Sequence, residues 1–186
     1  EKAGQAIKQI AKSGKKIMFV ATKKQARDIV STIAQSVNMP FVTDRWLGGM
    51  MTNFTTIRRS VKKMNNIERM LTDVNVTNIT KKERLTLSRE RTKMDRVLGG
   101  IANLNRLPSA IFVVDIMHEH LAIQEAEKLG VRTFAMVDTN SDPNKVDFPI
   151  PSNDDSSKSI ALITAYIAEA IKEGLAERGA EAVPEN

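Results

Sequence analysis

The sequence predicts an α/β domain built on a buried parallel sheet, with an antiparallel helical hairpin inserted into it. Two observations carry this reading. Short apolar or β-branched runs at 17–22 (IMFVAT), 110–115 (AIFVVD) and 132–138 (RTFAMVD) each adjoin a helix-like segment, which is the rhythm of strand, crossover helix and strand. Residues 55–107 break that rhythm, because two long helical patterns stand there with no strand between them.

The first run is followed by a helical pattern over 24–37, where Ile29, Ile33 and Val37 recur at spacing four. Phe41 to Thr43, after Pro40, reads as a weaker strand. After the second run, Leu121, Ala122, Ala126 and Leu129 mark a helix that Gly130 stops, since glycine takes the left-handed conformation that closes a helix. Ile160, Ile163, Ile167, Ile171 and Leu175 then keep one helix face apolar, behind Asp154, Asp155, Ser156 and Ser157, which suit a helix N-terminus. Residues 179–186 read as a frayed tail. The chain does not open with Met, so residues upstream are expected.

In the hairpin, at about 100° per residue from Ile57, the residues Val61, Met64, Glu68 and Leu71 fall within about 40° of it. Arg58, Arg59, Lys62, Lys63 and Arg69 fall between about 100° and 240°. In the second helix Leu87, Met94, Leu98 and Ile101 share a face, with Val97 and Leu104 beside it. Lys81, Lys82, Arg89, Lys93 and Arg96 point away. Met70 and Leu85 fit neither seam. A polar stretch at 73–80 can join the two as an antiparallel pair packed along coiled-coil-like seams. A first helix of about 19 residues would project the hairpin nearly 30 Å. Gly48-Gly49 and Gly99-Gly100 flank the hairpin and predict a close crossing where it roots in the domain, with Trp46 packed nearby. The predicted organisation is a discontinuous α/β domain at 1–54 and 108–178, a hairpin at 55–107 and a tail at 179–186.

The formal charge of +6 conceals an uneven distribution. Residues 1–54 carry 9 Lys and Arg against 3 Asp and Glu, residues 55–107 carry 13 against 5, and residues 108–186 carry 6 against 14. Positive charge gathered on one part of a fold attracts a polyanion and gains with every phosphate it neutralises, so nucleic acid leads as partner. The hairpin's outer stripe is basic rather than apolar, which points to an arm that grips RNA and away from a homo-oligomer. A coiled-coil adaptor without RNA is the competing use.

Other classes are excluded directly. The chain has no cysteine, so disulfides, thiolate metal sites and cysteine nucleophiles are absent. No apolar run approaches the roughly 18 to 20 residues of a membrane span, so no membrane partner is expected. Lys23-Lys24-Gln25 follows the first strand, with neither spaced glycines nor a phosphate loop, so nucleotide cofactors are not expected and the lysines can touch phosphates as point charges. His118 and His120 lie roughly 200° apart around a helix and cannot share a metal there. The one enzymatic alternative is a Mg²⁺-dependent phosphotransfer or hydrolase site centred on Asp115, Asp138 and Asp142, with Asp147, Asp154 and Asp155 nearby. The same aspartates equally serve turns and helix caps.

The stretch RWLGGMMTNF at 45–54 resembles the signature of the second protein of the small ribosomal subunit in its bacterial form. Blocks similar to that family follow in order: LGGI at 98–101, the strand at 107–115, DTNSDP at 138–143, Val146-Asp147 and IPSNDD at 150–155. Met51 stands where Leu is usual and Ser152 where Ala is usual, and the family's N-terminal glycine- and histidine-containing block, with one core strand, is not in this chain. The resemblance implies a Rossmann-like or flavodoxin-like α/β domain with a protruding coiled-coil hairpin, assembled on 16S rRNA in the cytoplasm. It implies no catalytic activity, no cofactor beyond Mg²⁺ as an rRNA counterion, and a role in docking the mRNA-binding first small-subunit protein. The residues expected to meet rRNA are Lys23, Lys24, Arg45, Arg58, Arg59, Lys62, Lys63, Lys81, Lys82, Arg89 and Arg96.

Overall fold

A computed structural model describes residues 1–73 and 80–181 of the chain. Its helices are α1 (Lys2–Lys12), α2 (Arg27–Ser36), α3 (Phe54–Thr72), α4 (Lys81–Leu98), α5 (His120–Leu129) and α6 (Ser157–Glu181). Its strands are β1 (Ile17–Val20), β2 (Phe41–Val42), β3 (Ala110–Val114), β4 (Arg132–Val137) and β5 (Phe148–Pro151), with short 3₁₀ turns at Gly99–Ile101 and Pro143–Lys145.

All of β1 and β3 is buried, which is why both read as unbroken apolar runs: helices cover each face of the sheet and no side of the strand meets water. The five strands pair in parallel in the order β2-β1-β3-β4-β5. This is the flavodoxin-like order, whose switch point lies between β1 and β3. Phe19, Phe112 and Phe134 point to the face covered by α1, α2 and α6. Met18, Val20, Ile111 and Val113 point to the other face, against α5 and the base of the hairpin.

The apolar stripe of α6 sits where the spacing placed it, with Ile160, Ile167 and Ile171 fully buried. That helix runs to Glu181, two residues beyond the point where fraying was expected, and residues 182–186 lie outside the described residues. Two elements had not been foreseen. The lysine-rich α1 buries Ile7 and Ile10 and is tied to α6 by Lys8, whose ammonium lies 3.1 Å from Glu173 and 2.7 Å from Glu177. β5 adds an edge strand whose Pro149 and Pro151 lack the N–H groups that a further strand would use, so the prolines that hid it from sequence analysis also blunt the edge.

The stripe expected on α5 holds in part. Ala122 and Ala126 are buried as expected, but Ile123 joins them, whereas Leu121 and Leu129 are exposed. On α3 the buried set is Ile57, Val61, Met64 and Ile67, so Ile67 takes the place assigned to Glu68. Met70 and Leu85, which fitted neither seam, are exposed.

Candidate nucleic-acid interface

α3 and α4 are antiparallel neighbours. Moving outward from the domain, Arg58 donates to the Leu104 carbonyl at 2.7 Å, Lys63 meets Glu90 at 2.6 Å, Glu68 meets Arg91 at 3.0 Å, and Arg84 reaches the Leu71 carbonyl at 3.1 Å. From the first of these contacts to the last, residue numbers climb from 58 to 71 on one side and drop from 104 to 84 on the other. The near end shares the core of the sheet through Ile57, Val61, Met64, Leu98 and Ile101. Helix α4 starts on a reciprocal cap, in which Thr80 accepts from the Glu83 backbone and Glu83 accepts from Thr80. Residues 74–79, where the polar connection was placed, lie outside the described residues.

The eleven cations expected at the interface divide into two groups. Lys24, Arg45, Arg59, Lys62, Lys81, Lys82 and Arg89 are exposed and, among the described residues, have no ion pair. The other four are engaged within the chain. Arg58 also bonds Asn105 at 2.7 Å, Lys63 pairs with Glu90, and Arg96 meets Asp44 at 2.9 Å. Lys63 and Arg96 remain largely exposed, so their pairs are of the weak, screened kind that a phosphate can replace.

Lys23 behaves differently. Its side chain is 17% exposed, and its ammonium lies 2.9 Å from Asp115 and 2.9 Å from Asp154, and contacts Asp155 as well. Burial works against its charge, but the hydrogen bonds it donates to Asp155, Asp115 and Asp154 outweigh it and hold Lys23 protonated well above the ordinary lysine value. The ammonium sits where the loops after β1 and β3 converge, the crevice in which flavodoxin-like sheets take ligands. Lys23, one of the expected phosphate contacts, thus spends its charge on the protein's own carboxylates.

The same geometry corrects the Mg²⁺ alternative. Asp142 accepts from the Asn144 backbone at 2.9 Å and caps the 3₁₀ turn, so Asp115, Asp138 and Asp142 do not form one site. The acidic oxygens close enough to share a cation belong to Asp138, Asp154 and Asp155, within 4.8 Å of one another, and the Lys23 ammonium already stands beside two of them. Asp115, at φ +70°, takes the left-handed conformation that Asp tolerates and accepts from the His118 backbone at 3.0 Å. Burial opposes its charge, but Lys23 and the His118 N–H depress its carboxyl below the ordinary value. Asp154 is pushed up, by burial first and by Asp115 and Asp155 next, against the pull of Lys23. One of its oxygens is buried with no hydrogen-bond partner. His118 and His120 are both exposed, and His120 Nδ1 lies 3.2 Å from the Met117 carbonyl.

Two glutamates that sequence analysis did not single out organise the region. Buried Glu119 accepts from the Thr22 backbone at 2.6 Å and from its hydroxyl. Glu125 receives Trp46 Nε1 at 3.1 Å and the Gly49, Met51 and Thr52 amides at 2.7, 3.0 and 2.9 Å. Gly49 has φ +89°, and this left-handed turn lets the amides converge. Trp46 thus packs in the root, as expected. The second glycine pair also behaves as expected, because a Cβ on Gly100 would collide with the Phe41 carbonyl. A cleft of about 740 Å³ opens beside this crossing, lined in part by Lys16, Phe41, Arg96 and Asn103.

The flavodoxin-like α/β domain thus fills its crevice with its own ion pairs, and a pair of helices inserted into it carries a dense set of exposed cations with no ion pair among the described residues. The model of the family "Ribosomal protein S2" matches residues 1–174, and the chain belongs to that family. It is 56% identical over 181 residues to small ribosomal subunit protein uS2 of Cytophaga hutchinsonii, covering 97% of this chain and 71% of that relative. The protein of the same name from Flavobacterium johnsoniae is 57% identical over 181 residues, with 97% and 71% covered. That of Porphyromonas gingivalis is 55% identical over 181 residues, with 97% and 64% covered, so the chain spans less than two thirds of that relative. The family is one of structural ribosomal constituents and not of enzymes.

Proposed function

We propose that the protein is a structural constituent of the small ribosomal subunit, working in the cytoplasm and held on 16S rRNA by the outer surface of α3 and α4. The observation that carries this reading is the run of exposed cations along the arm that have no ion pair among the described residues, Arg59, Lys62, Lys81, Lys82 and Arg89 among them, with Lys24 and Arg45 among those on the domain. Arg58, Lys63 and Arg96 flank them. Residues 55–107 form the arm, coiled-coil in character, on a body made of 1–54 and 108–178, with 179–186 as tail. Family membership supports docking of the mRNA-binding first small-subunit protein, and supports no cofactor beyond Mg²⁺ accompanying the rRNA.

Such an interface works by releasing counterions. Each phosphate neutralised contributes about 0.7 to 0.9 to the slope of log K against log salt. Reversing Arg59, Lys62, Lys81 and Lys82 to Glu is expected to lower that slope by about three and to weaken incorporation into the subunit. A slope unchanged from wild type would remove the arm from the mechanism.

A further inference from the structure

We propose that Glu125 fixes the direction of the helical arm by clamping the chain ahead of α3 onto α5; the use of that direction for RNA rests on the function proposed above. The arm has two legs, and different parts of the domain hold them. The trailing leg is tied to β2 and the loop after it: Arg96 meets Asp44 at 2.9 Å, and Gly100 lies against the Phe41 carbonyl too closely for any side chain. The leading leg is tied to α5. One oxygen of Glu125 takes Trp46 Nε1 at 3.1 Å and the Gly49 amide at 2.7 Å. The other takes the Met51 amide at 3.0 Å and, from Thr52, the amide at 2.9 Å and the hydroxyl at 3.0 Å.

Convergent amides of this kind form a nest suited to an anion. Here the anion is the protein's own carboxylate, supplied from a helix 73 residues further along the chain than Thr52. Both carboxylate oxygens accept, and all their partners donate. A glutamine has one accepting oxygen and one donating NH₂, so in either orientation a donor would face donors. The leading leg would then keep only its apolar seat in the core, at Ile57, Val61 and Met64, while the trailing leg kept its polar anchors, and the arm would gain freedom to pivot at its base. Over the 19 residues of α3, a swing of about 10° moves the far end by about 5 Å, enough to carry a cation out of hydrogen-bonding reach of a phosphate.

These 186 residues contain no cysteine, so two can be added to them and spin-labelled without competition within the chain. Leu85→Cys on α4 and Leu162→Cys on α6 use side chains that are 52% and 71% exposed. A narrow distance distribution is expected with Glu125 in place. Glu125→Gln should broaden it and shift the Trp46 emission to the red, as the indole, 7% exposed in the clamped root, meets water when the root loosens. Glu127→Gln, exposed on the same helix, should change neither. Glu125→Asp keeps the charge but shortens the reach, so it should broaden the distribution less, and it provides the test if Glu125→Gln does not fold. A Glu125→Gln or Glu125→Asp distribution as narrow as the parent's, with emission unshifted, overturns the clamp. Broadening by Glu125→Gln, where the parent protein itself fails to bind 16S rRNA, would leave the clamp standing and sink the ribosomal reading instead. Where both hold, Glu125→Gln should lower 16S rRNA affinity about tenfold, the scale of one lost charge-assisted contact.

Discussion

The carboxyl edge of the sheet and the helical arm both present lysine, and they use it in opposite ways. At the sheet edge Lys23 is drawn inward among Asp115, Asp154 and Asp155, and its charge is spent on the fold. On the arm Lys62, Lys81 and Lys82 stand in solvent with no ion pair among the described residues, and their charge is available to a partner. Lys24, one residue from Lys23, belongs with the second group. Burial makes the difference. A charge withdrawn from water must find opposite charge within the protein, whereas an exposed one interacts weakly until a polyanion arrives.

The comparison breaks most visibly at Lys23. Lys23→Ala leaves Asp115 and Asp154 in a buried cluster without their cation, so a loss of about 3 kcal/mol in unfolding free energy is expected from urea denaturation. Lys24→Ala should cost less than about 0.5 kcal/mol in the same measurement and reduce only rRNA binding. Equal losses at the two positions would erase the distinction.

Acid sharpens it. Asp115 and Glu125 have folded-state values below the ordinary carboxylate value, so each adds stability that is complete above about pH 4 and disappears as the pH falls through its folded value. Asp154 is raised, so its charged form costs stability at neutral pH and protonation relieves that cost. Asp154→Asn should therefore be milder at pH 7 than Asp115→Asn, although Asp154 is the more buried. Urea titrations between pH 7 and 3 should show wild type gaining stability relative to Asp154→Asn as the pH falls. A loss relative to that variant would contradict the assignment. The smallest effect belongs to the arm's own folding: Thr80→Ala removes the reciprocal cap of α4 and should cost about 1 kcal/mol, leaving the sheet-edge cluster untouched.

What sequence analysis could see follows the same division. The strands around Phe19, Phe112 and Phe134 were legible because burial on both faces leaves an unbroken apolar run. The basic back of α3 was legible because an exposed face keeps its helical period. Glu125 was not, because its partners lie 73 to 79 residues away and nothing local marks a glutamate that faces a nest. The surroundings of Lys23 were hidden for the same reason: its three carboxylates come from the loop after β3 and the approach to α6. On α5 the spacing found Ala122 and Ala126 but chose Leu121 where Ile123 is the buried neighbour.

The central claim is that the arm, and not the acidic helical side of the domain, meets RNA. Hydroxyl radicals generated from an iron chelate on Leu85→Cys in reconstituted small subunits are predicted to cut 16S rRNA strongly, with far weaker cutting from Leu162→Cys on α6. Equal or stronger cutting from α6, with the rRNA intact around the arm, would contradict the account.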